Sequence, residues 1–121
     1  MILGLGNDII EVERVKGVIQ RQPKFLDQVF SDNEKTYCLK YKDPFVHFAG
    51  LFAVKEAIVK ALGTGFRQGL TWLDFEISHD ELGKPIVITS ALVEQLFGPV
   101  NLLISISHCQ TYAVATAIWQ Q

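Results

Sequence analysis

Apolar residues along the 121-residue chain recur with two different periods, and the switches between them divide the sequence into strands and helices. Residues 2 to 13 are rich in Ile, Leu and Val, are opened by Gly4 and Gly6, and read as a strand. In "SDNEKTYCLKYK", Ser31 or Asp32 offers a side-chain oxygen to the first free amides of a short helix. Pro44 then breaks the chain. From about residue 45 to 62 a helical period takes over until Gly63 and Gly65 stop it. "LDFEISHD" alternates Phe75 and Ile77 with polar residues as a half-buried strand does, and "ELGKPIVI" follows as a turn and a second strand. "SALVEQLFG" is a short amphipathic helix with a glycine stop. "NLLISISH", "CQ" and "TYAVATAIW" predict a hairpin, two alternating runs around a short polar turn. Strands and helices come in blocks without strict βαβ alternation. The expected fold class is therefore α+β, a mainly antiparallel sheet packed against one long helix. No repeat, low-complexity tract or linker interrupts the sequence, so residues 1–121 are expected to form one domain.

On a helical wheel of about 100° per residue, Leu51, Val54, Ile58, Ala61 and Leu62 cluster on one side of the long helix, widened by Phe48, Phe52 and Val59. The narrow strip left over holds Ala49, Ala53, Glu56 and Lys60. Small alanines beside two charges predict a groove where something approaches the helix closely. Glu56 and Lys60 also stand at i, i+4, the spacing of an ordinary surface ion pair. Lys55 falls inside the apolar arc, where its stem snorkels outward or its amine meets a buried partner.

Asp8 adds a second carboxylate in an unusual place. The even positions of the first strand are Ile2, Gly4, Gly6, Asp8, Ile10 and Val12, a face of glycines and aliphatics. An ionised carboxylate there costs several kcal/mol unless a cation or hydrogen-bond donors meet it. A lysine or arginine is one such partner. A hard metal ion is the other, because two carboxylates without neighbouring histidine or thiolate suit Mg²⁺, which keeps its remaining positions for water and substrate phosphate. The stretch "KALGTGFRQG", with Lys60, the amides around Gly63 to Gly65, and Arg67, would suit such a phosphate.

Composition narrows the partners. At 49% hydrophobic and 20% charged residues the chain is an ordered globule, and its formal net charge of −2 leaves no basic excess for nucleic acid. The apolar N-terminus is interrupted by Asn7, Asp8 and Glu11, which argues against a signal peptide or membrane span and makes the cytoplasm the expected address. Cys38 and Cys109 form no CxxC pair and read as reduced thiols. The local basic excess is Arg14, Lys16, Arg21 and Lys24, with Phe25 alongside: a solvated helix, or a dock for an acidic partner anchored by Phe25. Ser107 and His108 are adjacent on a strand and point to opposite faces, and no G-x-S-x-G elbow occurs, so a serine nucleophile is not expected. His108 reads as a donor to a ligand or as an exposed turn residue. His47 and His79 lack zinc spacing and are expected in structural or solvent roles.

Taken together, "GLGNDIIEVERV" at 4 to 15, "FAVKEAIVKALGTG" at 52 to 65, "DELGKP" at 80 to 85 and "SISHCQTYAVATAI" at 105 to 118 resemble the holo-acyl-carrier-protein synthase family. That family is the small, single-domain branch of the phosphopantetheinyl transferases, and the resemblance runs essentially end to end. It implies the 4′-phosphopantetheinyl transferase fold and one reaction. Coenzyme A gives its 4′-phosphopantetheine arm to a serine of apo acyl-carrier protein and releases adenosine 3′,5′-bisphosphate. By resemblance Asp8 and Glu56 hold Mg²⁺ and Lys60 contacts a coenzyme phosphate. The serine hydroxyl also needs a proton acceptor, for which Glu56, acting directly or through a metal-bound water, is the first choice and Asp8 or water the alternatives. Gly63, Thr64, Gly65, Gly83, Lys84, Pro85 and His108 would line the coenzyme pocket. Arg14, Arg21, Lys24 and Phe25 resemble the carrier-protein docking face. The family also implies a homotrimer whose active sites are shared between neighbouring subunits. One departure stands out: Leu51 occupies a position where many similar sequences carry arginine, while a difference at Asn7 is expected to matter little. An inactive coenzyme A or nucleotide-binding module and a Mg²⁺-dependent phosphohydrolase are the competing readings. Retention of both carboxylates disfavours the first, and the lack of further metal ligands disfavours the second.

Overall fold

A computed structural model describes all 121 residues. The chain opens with strand β1 (Ile2–Glu11), followed by helices α1 (Val12–Arg21), α2 (Lys24–Val29), α3 (Asp32–Leu39) and the long α4 (Pro44–Leu62). A short 3₁₀ turn at Trp72–Asp74 leads into β2 (Phe75–His79) and β3 (Pro85–Thr89). Helix α5 (Ala91–Phe97) and the hairpin β4 (Asn101–His108) and β5 (Tyr112–Gln120) complete the fold. β1, β5 and β4 form an antiparallel sheet in that order, and β2–β3 is a separate antiparallel hairpin. The fold is α+β with a mainly antiparallel sheet on a long helix, as the residue pattern implies.

The first strand stops two residues earlier than its composition suggests. Val12, Val15 and Ile19 are buried at helical spacing, so this segment gains more by laying one face of a helix on the core than by extending the strand. Ser31, not Asp32, caps α3, in a capping box completed by Glu34. Pro44 begins α4 at its first turn, where its missing N–H costs nothing, and Asp43 accepts from the Phe45 amide. Gly63, in the left-handed region at φ 76°, ends it.

The alanine strip on α4 does face a close approach, but the visitor is the protein's own sheet. Ala49, Ala53, Ala57 and Ala61 are all buried, and the facing row of β5 is Ala113, Ala115 and Ala117. On β1 a side chain at Gly6 would come within 1.8 Å of the Ala57 carbonyl oxygen, and one at Gly4 within 1.9 Å of that of Ala61. Along the alanines the approach is thus a closed glycine–alanine seam, and Glu56 and Lys60 lie beside it.

Lys55 finds the buried partner. It and Glu34 are both fully buried, with Lys55 Nζ 2.7 Å from Glu34 Oε1 and donating also to the Val29 and Trp72 carbonyls. Glu34 in turn accepts from the Ser31 and Ile77 amides. This node ties the ends of α2 and α3, the 3₁₀ turn and β2 to α4. Burial pushes the Lys55 amine below the usual lysine range, against the opposing pull of the Glu34 charge. Lys55→Met is expected to destabilise the protein by about 3–5 kcal/mol, because it strands a buried carboxylate. In urea unfolding, adding Glu34→Gln to Lys55→Met should cost far less than the two single effects summed. Strict additivity would refute this coupling.

Candidate active site

β1 and α4 bring Asp8 and Glu56 together. Asp8 lies on the inner face of β1, opposite Ala115, and its side chain is 16% exposed. Lys60, one turn beyond Glu56 on α4, reaches across: its Nζ lies 2.8 Å from Asp8 Oδ1 and donates to the Asn7 carbonyl at 3.0 Å. Lys60 thus pairs with Asp8 and not with Glu56, although the i, i+4 spacing suggests the latter. Asn7 is tied in as well, since its side-chain amide donates to the Ala115 carbonyl and to Thr116 Oγ1.

Glu56 has no ion pair or hydrogen bond to the protein. Burial raises its carboxyl above the usual range, the Asp8 charge pushes the same way, and Lys60 opposes both. Lys60 is itself held above the ordinary lysine value, chiefly by its hydrogen bond to Asp8. Two carboxylates against one lysine leave the site with an uncompensated negative charge, and Oδ2 of Asp8 and both oxygens of Glu56 lack protein donors. That donor set fits a hard divalent cation. No group of three His, Cys, Asp or Glu side chains is placed to hold one metal ion, so a cation here would take two protein ligands and leave its other positions to water or substrate oxygens.

A groove of about 480 Å³ opens from this pair, and Arg14 and Phe25 line it with Asp8 and Glu56. The two carboxylates therefore share one cleft with two of the residues expected to meet a carrier protein. Arg21 and Lys24, at the far end of α1 and the start of α2, are exposed outside it. Ile10, Val15, Val18, Phe52 and Tyr112 also line the groove and were not singled out from the sequence. Ile10 shares the even face of β1 with Asp8, and Val15 and Val18 follow Arg14 around α1, so periodicity carried the signal. Phe52 packs against Phe25 at 5.5 Å and Trp72 at 5.1 Å, forming the apolar wall next to Glu56.

The expected coenzyme residues fall into two groups at opposite ends of α4. Lys60, Gly63, Thr64 and Gly65 lie at its C-terminal end, where Gly63 and Gly65 both have positive φ. Gly83, Pro85 and His108 line a second, smaller pocket with Leu51, which also takes in His47 from the first turns of α4. Lys84 is exposed between Gly83 and Pro85 but outside that lining. At about 1.5 Å per residue, His47 and Gly63 are separated by about 24 Å along the helix.

The sequence model of the 4′-phosphopantetheinyl transferase superfamily matches residues 4–117. The chain is 58% identical over 120 residues to a holo-acyl-carrier-protein synthase of Protochlamydia amoebophila, covering 98% of both chains. Its fold is similar to the crystal structure of a holo-acyl-carrier-protein synthase from Bacillus anthracis in complex with CoA (3′,5′-ADP), at a TM-score of 0.83 and 36% identity, covering 98% of this chain and 96% of that one. It is also similar to the Helicobacter pylori holo-acyl-carrier-protein synthase in complex with coenzyme A, at a TM-score of 0.85 and 33% identity, covering 96% and 99%.

Proposed function

The chain belongs to the 4′-phosphopantetheinyl transferase superfamily, and we propose that it transfers the 4′-phosphopantetheine arm of coenzyme A to a serine of apo acyl-carrier protein, releasing adenosine 3′,5′-bisphosphate. The observation that carries this reading is the cleft in which Asp8 and Glu56 share walls with Arg14 and Phe25. A phosphoryl centre and a protein-docking face are needed side by side when the acceptor is a side chain of another protein. Residues 1–121 act as one transferase domain.

Asp8 and Glu56 would hold Mg²⁺, which supplies neutralisation of the pyrophosphate and polarisation of the attacked phosphorus. Lys60, raised firmly into its charged form, stays positive beside the same phosphate oxygens. As the serine Oγ–P bond forms and the P–O bond to adenosine 3′,5′-bisphosphate breaks, the serine proton passes to Glu56. Arg14 and Phe25 lie where an acidic carrier would meet the cleft, with Arg21 and Lys24 extending the basic face. A Mg²⁺-dependent phosphohydrolase would need water held by further ligands, and the two carboxylates stand without them.

The working unit is a homotrimer with active sites at subunit interfaces. Two features support it. The two groups of expected coenzyme residues lie at different levels of α4, with Gly83, Pro85 and His108 in a pocket that lacks both carboxylates, which suits a site completed by a neighbouring copy. The outer face of the sheet is also apolar where an isolated antiparallel sheet is normally polar. Leu5, Ile118 and Leu103 form one row across it, and Leu5 and Leu103 are 66% and 44% exposed. Ile9 and Val114 belong to a second row, separated from the first by Asn7, Thr116 and Ser105. No helix is long and apolar enough to cross a membrane. Cys38 and Cys109 are free thiols, which suits a reducing cytoplasm.

One assay tests the reading: the protein is incubated with coenzyme A, Mg²⁺ and apo carrier protein, and the carrier is weighed by mass spectrometry. A phosphopantetheine adduct is expected. Coenzyme cleavage without an adduct would favour the hydrolase, and binding without either product the inactive module. In the same assay Arg14→Ala should raise the KM for carrier about tenfold, the scale of one charge-assisted contact, with much less effect on that for coenzyme. Leu5→Asp should lower both the oligomer mass and the rate. A fully active monomer would overturn the shared-site assembly.

A further inference from the structure

We infer that Trp72 is a positioning residue for the transfer reaction: its indole moors Phe66 and so holds the glycine-rich loop after α4 in the shape that meets the coenzyme, a step that rests on the transferase reading above. The loop runs from Gly63 to Gly69 and begins just beyond Lys60. It turns through left-handed residues at both ends, Gly63 and Gly65 at φ 76° and 65°, then Gln68 and Gly69 at 60° and 88°. No amide from residue 64 to 69 donates to a backbone carbonyl, and the Arg67 carbonyl accepts from the Leu70 amide at 3.1 Å. Free amides wound between left-handed residues suit an anion. Their own hydrogen bonding does not hold them in place.

One aromatic contact does. Gly65, Arg67, Gln68 and Gly69 are exposed, and Phe66 among them is half-buried. The Phe66 ring meets Trp72 edge to face, with ring centroids 4.2 Å apart. A groove of about 590 Å³ opens between α2 and the loop, with both rings in its wall. Phe66 is therefore not enclosed by a packed core, and the indole gives it its place.

The indole has a firm seat. Trp72 opens the 3₁₀ turn, and buried Lys55 donates to its carbonyl at 3.1 Å. Thr71 and Asp74 close a capping box on the same turn, and Asp74 Oδ1 also accepts from Ser90 Oγ at 2.7 Å. The indole packs on Phe52 at 5.1 Å, and Phe52 meets Phe25 at 5.5 Å. An aromatic wall thus runs from the cleft of Arg14 and Phe25 to the loop. Trp72 and Phe66 belong to its loop end and do not line that cleft. A loop without its mooring has to be ordered when coenzyme binds, and that entropic cost falls on coenzyme affinity. Ground state and transition state share it, so KM rises while kcat changes little.

Steady-state transfer by the full-length protein, with coenzyme A and apo carrier protein varied in turn at saturating Mg²⁺, tests the assignment. Trp72→Ala and Phe66→Ala should each raise the KM for coenzyme A by about three- to tenfold, the scale of one aromatic pair, and that for carrier by less than about twofold. Trp72→Phe should recover most of the loss, because it still offers Phe66 an aromatic surface. Fluorescence supplies a second readout. With Trp119→Phe as background, Trp72 is the sole tryptophan, and its emission should change on adding coenzyme A with Mg²⁺. Adding Phe66→Ala should largely remove that change while leaving the urea midpoint near that of the background. An unchanged KM for coenzyme A in both alanine variants, or equal rises for the two substrates, would overturn the mooring and leave the transferase reading intact. A wild-type protein that transfers nothing to the carrier would overturn both.

Discussion

Gly6→Ala is expected to prevent the sheet from closing on α4, and Gly4→Ala to do nearly the same. Neither glycine is needed for an unusual backbone angle; each is needed for space. The added methyl carbon at position 6 would sit 1.8 Å from the Ala57 carbonyl oxygen and 2.8 Å from the Ala61 nitrogen. Both are backbone atoms of a helix that cannot give locally without losing its own hydrogen bonds. Strand and helix would have to separate by more than an ångström along a seam of buried alanines, which share no flexible side chain to absorb the strain. A loss of at least about 4 kcal/mol is expected, a large part of the 5–15 kcal/mol that holds a typical domain together. In urea unfolding at fixed protein concentration, the variant should show a collapsed midpoint or no cooperative transition. Gly17→Ala is the matched control. It lies inside α1, where the new methyl would meet only the end of the mobile Arg21 side chain, and it should stabilise by up to about 1 kcal/mol. Gly6→Ala unfolding like the wild type would refute the seam.

That seam marks where the residue pattern was informative and where it stopped. The glycines of β1, the alanines of α4 and the periodicity of both elements were visible, and they correctly predicted a close approach to the helix. What approached was not visible, because pairing between β1 and α4 is a long-range contact with no local signature. The stretch from Val12 was readable as either strand or helix from its aliphatics, and burial of Val12, Val15 and Ile19 decided it. Glu34 shows the same limit. Its place in a Ser-x-x-Glu box announces a helix start, but its second task as the partner of Lys55, 21 residues on, exists only once α3 packs on α4.

The candidate site was legible to the extent that a chemical anomaly could be seen within one element. Asp8 on an apolar strand face and Glu56 on an apolar helix each stood out, and the fold brings them together. His108 stood out as a donor to a ligand, but His47 and His79 did not, since each is isolated in sequence and has no zinc spacing. They become a cluster because the β4–β5 turn, the β2–β3 hairpin and the start of α4 converge. The outer sheet face was hidden for a different reason. Leu3, Leu5 and Ile9 look like core residues in an alternating strand of glycines and aliphatics, and only the small residues on the opposite face reveal that the helix lies there.

Asp8→Asn and Glu56→Gln are each expected to reduce phosphopantetheine transfer by at least about 10³-fold, the several kcal/mol that charge stabilisation at a phosphoryl centre supplies. Both changes keep shape and remove only charge, so a loss on that scale reports chemistry and not packing. Stability should move the other way at Glu56. A carboxyl whose pKa is raised by folding contributes stability below its unfolded value, and that contribution is lost as pH rises through the folded value. At neutral pH the metal-free protein therefore bears the cost of an ionised Glu56 beside Asp8, and Glu56→Gln relieves it. The variant should unfold at a temperature no lower than the wild type while being nearly inactive. Asp8→Asn should lose the Lys60 ion pair, but Lys60 is 53% exposed, so the structural penalty stays small. Added Mg²⁺ should raise the unfolding temperature of the wild type, because it binds the folded state and cancels the same repulsion. It should leave the Asp8→Asn/Glu56→Gln double variant unmoved. Near-normal transfer by either single variant, or an equal Mg²⁺ shift in the double variant, would remove these two carboxylates from the metal site and return Glu56 to the role of a solvated surface charge.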